Sequence, residues 1–110
     1  MTTTGSEKEA ALIARTLVER QQAACVNVIP SVRSIYRWKD KTWNEVEQIL
    51  LIKTTRALFG AVSRTIKELH SYELPDILAL PIAAGDEKVL AWIRSCLAPE
   101  AAPGPDRPGA

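Results

Sequence analysis

Ala24-Cys25-Val26-Asn27-Val28-Ile29-Pro30-Ser31-Val32-Arg33-Ser34-Ile35-Tyr36-Arg37-Trp38, closed by Lys39-Asp40-Lys41 and answered by Val46-Glu47-Gln48-Ile49-Leu50-Leu51-Ile52-Lys53-Thr54-Thr55, is the stretch on which the fold turns. Its first half is rich in β-branched and aromatic residues, the composition of a long strand over 24–38. Pro30 has no amide proton to give a ladder, so a bulge or an edge position is expected there. The polar Lys39-Asp40-Lys41 reads as a turn. The uninterrupted Ile49-Leu50-Leu51-Ile52 within 46–55 suits a strand buried on both faces. Together the two strands make one long hairpin.

Working outward toward the N-terminus, Ser6 to Glu9 spells S-x-x-E, a capping box. Ala10, Ile13, Ala14, Leu17 and Val18 follow at helical spacing, which predicts a helix over 7–21. On the other side, Thr55 is positioned to cap a second helix bearing Leu58, Val62, Ile66 and Leu69. The run His70-Ser71-Tyr72-Glu73-Leu74-Pro75 is a loop, since a residue before proline leaves the helical region. A short apolar strand is expected over 77–82. Gly85-Asp86 opens a third helix with Val89, Leu90, Ile93 and Leu97, which Pro99 limits. The Pro-, Gly- and Ala-rich 99–110 reads as a disordered tail, leaving one domain at 1–98.

The order is α-β-β-α-β-α, and a strand at its start would complete an α+β, ferredoxin-like β-α-β-β-α-β plus a C-terminal helix. Only Met1 to Thr4 are available for that strand, so it is expected to be largely missing, whether shortened or begun upstream. The strands that would flank it, 49–52 and 77–80, are the most continuously apolar in the chain.

The 110 residues suffice for one domain with a real core. Hydrophobic residues make up 46%, charged residues 25%, and the net charge is +1, with Lys and Arg scattered among Asp and Glu. Bulk charge therefore offers no attraction for nucleic acid or an acidic membrane. Cys25 and Cys96 form no CxxC pair, and neither a secretory signal nor a membrane-spanning run is read, so a reducing cytoplasm is expected.

Five ordered motifs discriminate further: Ala23-Ala24-Cys25-Val26-Asn27, Ser34-Ile35-Tyr36-Arg37-Trp38, Ile52-Lys53-Thr54, His70-x-Tyr72-x-x-Pro75-Asp76-Ile77 and Ala91-Trp92-Ile93. They closely resemble the CutA divalent-cation-tolerance family over nearly everything but the tail. The resemblance implies a homotrimer of PII-like architecture, whose long hairpin reaches a neighbouring subunit. Tyr36, Trp38 and Trp43 cluster at a hairpin end that one small domain could hardly cover, as interface aromatics do; the bland reading is a local minicore.

His70, the single histidine, reads either as a metal ligand, imidazole suiting copper, or as a helix C-terminal histidine favoured by the dipole. Asp76 stands where the family usually has Glu and is either its partner ligand or a solvated carboxylate. The resemblance places Tyr36, Trp38, Lys53, Tyr72 and Glu73 near inter-subunit clefts, where Lys53 either meets an anion or is an ordinary strand-end lysine. Copper-binding relatives carry a cysteine at the end of the first strand; Thr2-Thr3-Thr4 has none, so any copper site here is weak. Cys25 reads as a small buried hydrophobe, and Trp92 as a cover for the core.

An enzyme is not expected: there is no nucleophile elbow, paired metal-ligand motif or Gly-rich phosphate loop. RNA-recognition domains share the strand order but stack bases on aromatics of their third strand, and 48–53 has none. The rival reading is a PII-like signalling trimer that holds a small ligand between subunits and reports to another protein.

Overall fold

The computed structural model describes residues 1–99. It runs β1 (Thr2–Thr4), α1 (Glu7–Glu19), β2 (Cys25–Trp38), β3 (Lys41–Lys53), α2 (Phe59–Leu69) and α3 (Glu87–Ser95). The three strands form one antiparallel sheet ordered β1-β3-β2. The short first strand is in place: Thr2 to Thr4 pair with Leu50, Ile49 and Gln48.

The hairpin takes the form its sequence calls for. Lys39 and Asp40 both have positive φ (51° and 62°), the two-residue turn whose twist matches the strands on either side. The ladder slips between Ile29 and Val32, at Pro30, where Ser31 takes φ 58°. The amide that the bulge frees at Ser31 donates to Gln48 Oε1 at 3.1 Å. β2 is also an edge strand, so Pro30 removes no bond from a sheet interior. β3 starts at Lys41, five residues before the expected 46, because the tight turn lets pairing resume at once.

One face of the sheet carries the core. Ala10, Ile13 and Leu17 of α1, Val62 and Ile66 of α2, Leu50 of β3 and Ala23 are buried together, with Val26, Ile52 and Ile77 packed against them. Each Leu, Ile or Val fully buried there contributes about 1.5–3 kcal/mol. Ser6 Oγ accepts the Glu9 amide at 3.1 Å and starts α1. The reciprocal arm of the capping box is absent, because the Glu9 carboxylate turns instead to Ser71. α1 ends in a left-handed Gln21 (φ 57°), with Gln22 donating to the Leu17 carbonyl and Gln21 to that of Val18. Val18 itself is exposed.

Four expectations are corrected. The strand over 77–82 reduces to a bridge between Thr2 and Ile77 and two hydrogen bonds between Met1 and Leu78; past Leu78 no strand lies alongside among the described residues. The run 49–52 is covered on one face only: Leu50 is sealed under the helices, but Leu51 is 40% exposed, since among the described residues no helix layer lies on the other face. Thr55 makes no side-chain cap; a 3-10 turn at Arg56–Leu58 precedes α2 instead. Trp92 is exposed, because Ile93, one step around α3, takes the buried position. α3 is capped by Asp86, whose carboxylate accepts the Lys88 and Val89 amides, and is tied back where Ala98 donates to the Gln21 carbonyl. Apart from Pro99, the tail lies outside the described residues.

Candidate functional site

Strand register decides which side chains meet. Side chains alternate between faces, so Leu50 and its partner Thr2 point at the helices while Thr3, Ile49 and Glu47 take the other face. The bulge resets β2 by one, so Ser34 (opposite Glu45), Tyr36 (opposite Trp43) and Trp38 fall on that same outer face. The loop after α2 lies against it. These elements enclose a cleft of about 400 Å³ with Thr3 and Glu47 at the strands, Ser34, Tyr36 and Trp38 along the hairpin, and Tyr72, Glu73, Leu74 and Asp76 from the loop.

His70 fastens the loop. Its side chain is 0% exposed, with Nε2 2.6 Å from the Thr3 carbonyl oxygen. A carbonyl has no proton to give, so Nε2 carries the hydrogen and donates it. Nδ1 accepts the Tyr72 amide at 3.1 Å and lies 3.1 Å from Glu9 Oε1. The same Glu9 oxygen accepts the Ser71 amide (2.8 Å) and hydroxyl (3.2 Å). β1, α1 and the loop are thereby joined through one imidazole and one carboxylate.

Tyr72 follows from that anchoring. Its ring packs 4.6 Å from the His70 ring, and its hydroxyl donates to Glu47 Oε2 at 2.7 Å. Gly5 makes room: a Cβ there would sit 2.9 Å from the phenol oxygen. Burial, then the hydrogen bond and charge of Glu47, raise the Tyr72 pKa, so the phenol stays a donor. Tyr36 is pushed the same way, by desolvation and by Glu45 and Glu47. Glu47 is only 5% exposed, and the Tyr72 hydroxyl is its hydrogen-bond partner among the described residues.

At the rim, the hairpin turn holds Lys39 with Nζ 3.2 Å from Glu73 Oε2 and 5.6 Å from the Trp38 ring centre. Trp43 Nε1–H donates to the Trp38 carbonyl at 3.0 Å, fixing the aromatic pair at the hairpin end.

Of the residues singled out from sequence, Tyr36, Trp38, Tyr72, Glu73 and Asp76 meet in the cleft. Lys53 does not: it pairs with Cys25 at the far end of the hairpin. His70 lies behind the cleft wall. A metal on His70 would have to displace the Thr3 carbonyl or the Tyr72 amide, so the ring as packed does not fit the role of a copper ligand. Among the described residues no three His, Cys, Asp or Glu side chains gather to hold a metal ion. Cys25 is half-buried, with Sγ 3.7 Å from Asn27 Oδ1. Glu47, Glu9 and Thr3 were missed. Glu47 alternates with Trp43 and Glu45 on one face, a signal visible only once the register with Tyr36 is known.

The arrangement is a cation-accepting one. Among the described residues its lining offers three carboxylates and three aromatic rings and no Lys, Arg or His, with Lys39 paired to Glu73 at the rim and the Met1 ammonium in charge interaction with Asp76. Among the described residues no helix is long and apolar enough to cross a membrane.

Known proteins resemble this chain in sequence and fold. A family profile described as CutA1 divalent ion tolerance protein matches residues 1–96. The divalent-cation tolerance protein CutA of Thermus thermophilus is 46% identical over 92 residues, covering 84% of this chain and 89% of that protein. Protein CutA of Homo sapiens is 42% identical over 89 residues, 81% of this chain but 50% of that protein, so the chain spans about half the human length. The solved divalent cation tolerance protein (Cut A1) of Thermus thermophilus superposes with a TM-score of 0.86 at 43% identity, covering 88% of this chain and 94% of that one. The family match spans every element from β1 to α3: the chain belongs to the CutA1 family of divalent-ion tolerance proteins.

Proposed function

We propose that the chain works as a cytoplasmic, non-enzymatic homotrimer in the tolerance of divalent metal ions. The observation that carries the assembly is the apolar surface left uncovered. The outer sheet face presents Ile29 and Leu51, the loop presents Leu74, and the segment after it presents Leu78, Leu80 and Ile82, with Leu80 67% exposed. So many exposed large apolar side chains point to a protein interface, and the open edge beyond Leu78 invites a strand from another copy. Any copper bound through His70 and Asp76 is weak, since the metal must first break the loop's anchoring. Light scattering at micromolar concentration tests the assembly: a trimer is expected, and a stable monomer refutes it. Titration with Cu(II) and Zn(II) tests the metal response.

A second reading, a PII-like signalling trimer with a small ligand between subunits, is favoured by one observation, the roomy cleft beside the hairpin. A nucleotide panel in the same titrations addresses it.

A further inference from the structure

We propose that the hairpin docks head to tail onto a second copy of the chain, Arg33 and Arg37 on its helix-side face supplying the cations for Glu45 and Glu47 on the outer face of the neighbouring copy's hairpin. The proposal rests on the trimer reading and names a contact within it.

The first ground is that the hairpin has two unlike faces. Past the bulge, Arg33, Ile35 and Arg37 of β2 stand opposite Val46, Asn44 and Thr42 of β3, and all six are exposed. Directly opposed residues share a face, so these form one surface. It has two guanidinium groups and no Asp or Glu, with Ile35 66% and Val46 49% exposed beside them. On the other face Ser34 stands opposite Glu45 and Val32 opposite Glu47, in line with Tyr36 and Trp38. One arm therefore presents a cationic, partly aliphatic side and an anionic, aromatic side.

The second ground is what these charges lack. Among the described residues none of Arg33, Arg37, Glu45 and Glu47 has a salt-bridge partner. Arg33 donates one N–H to Asn44 Oδ1 at 2.8 Å and keeps its other donors. Glu47 is 5% exposed and meets the neutral Tyr72 phenol, a costly setting for a carboxylate that a cation from a neighbour relieves. The other acids nearby are matched within the protomer, Glu73 by Lys39 and Asp76 by the Met1 ammonium. The third ground is fit. A guanidinium stacks on aromatic rings as readily as it binds carboxylates, and Tyr36 and Trp38 lie on the same face as the two acids. Because the cationic and anionic sides are opposite faces of one arm, each copy gives one contact and receives one, which closes as a ring. A two-fold pairing through either face would set like charges together.

The test is a double-mutant cycle on dissociation of the full-chain assembly. Light scattering follows each variant through a dilution series, at one urea concentration that brings the parent's transition into range. Arg33→Gln with Arg37→Gln removes the cations; Glu45→Gln with Glu47→Gln removes the anions and keeps an acceptor for Tyr72. Each pair should raise the midpoint concentration at least about tenfold, the scale of one hydrogen bond to a charged group. All four changes together should raise it by clearly less than the product of the two effects. The pairs lie on opposite faces of one hairpin, so coupling of that kind arises between copies. Arg33→Lys with Arg37→Lys, which keeps the charge, should recover most of the loss, and NaCl should weaken the parent more than the fourfold variant. An unchanged midpoint in either Gln pair, a fourfold effect equal to the product, or no recovery with Lys overturns the proposal. If the parent is a trimer and the pairs do not couple, the trimer reading survives and this contact fails; if the parent is a stable monomer, both fail.

Discussion

Replacing Thr2 by Val should stabilise this protein, whereas the same change two residues later should not. Thr2 and Thr4 are both 0% exposed and both face the helices from β1. Thr4 Oγ1 donates to the Ser6 carbonyl at 2.9 Å; Thr2 Oγ1 is buried with no hydrogen-bond partner among the described residues. A buried hydroxyl left unpaired costs about 1–3 kcal/mol. Valine has the same shape, removes that cost and adds a buried methyl, so Thr2→Val should gain about 1–3 kcal/mol. Thr4→Val loses a made hydrogen bond, a cost of about 0.5–1.5 kcal/mol that the new methyl offsets only in part. For a domain of this size each kcal/mol moves the melting temperature by roughly 4–8 °C. Thermal unfolding of the two variants beside the parent decides the matter. A Thr2→Val protein that melts at or below the parent would show that the hydroxyl is satisfied, and the reasoning would fail.

His70→Ala should lower stability by about 2–4 kcal/mol in metal-free buffer, since a buried ring and its ties to Thr3 and Tyr72 are lost; an unchanged denaturation midpoint would contradict a structural role. The Tyr72 pKa is raised above its ordinary 10.0, so the fold favours the neutral phenol. That contribution is complete below about pH 10 and is lost as pH rises through the folded value, so stability should fall on the alkaline side. Tyr72→Phe should flatten this decline; equal slopes in both proteins would refute the link. Trp38→Ala should weaken oligomerisation, read as a rise in the concentration at which light scattering shows dissociation, and an unaltered mass profile would place Trp38 outside the interface. Gly5→Ala should disturb the Tyr72–Glu47 hydrogen bond, because the new methyl falls 2.9 Å from the phenol oxygen, and the Tyr72 titration is the readout.

What the sequence determined by itself is what depends on neighbours along the chain. Hydrophobic spacing placed Ala10, Ile13 and Leu17 on one side of α1, and β-branched composition marked the hairpin. The missing amide of Pro30 announced the bulge, and the run of motifs from Ala23 to Ile93 pointed to the family. Where local preference met no competitor, as at Ser6 and Asp86, the caps formed.

What only the tertiary structure decided depends on contacts between distant segments. The Glu9 side chain had two possible uses, and Ser71, sixty-two residues away, supplies the one it takes. His70 read equally well as a ligand or a structural group until the Thr3 carbonyl was found against Nε2. Glu47 acquires its meaning from a one-residue slip in the ladder, which brings Tyr36 and Trp38 onto its face, and from the loop that carries Tyr72 to it. The apolar 77–82 reads as a strand, but a ladder needs a partner of its own length, and pairing along β1 ends at Met1 and Leu78. Composition sets a segment's preference for an extended, buried state; whether that preference is satisfied is settled by what lies beside it in space.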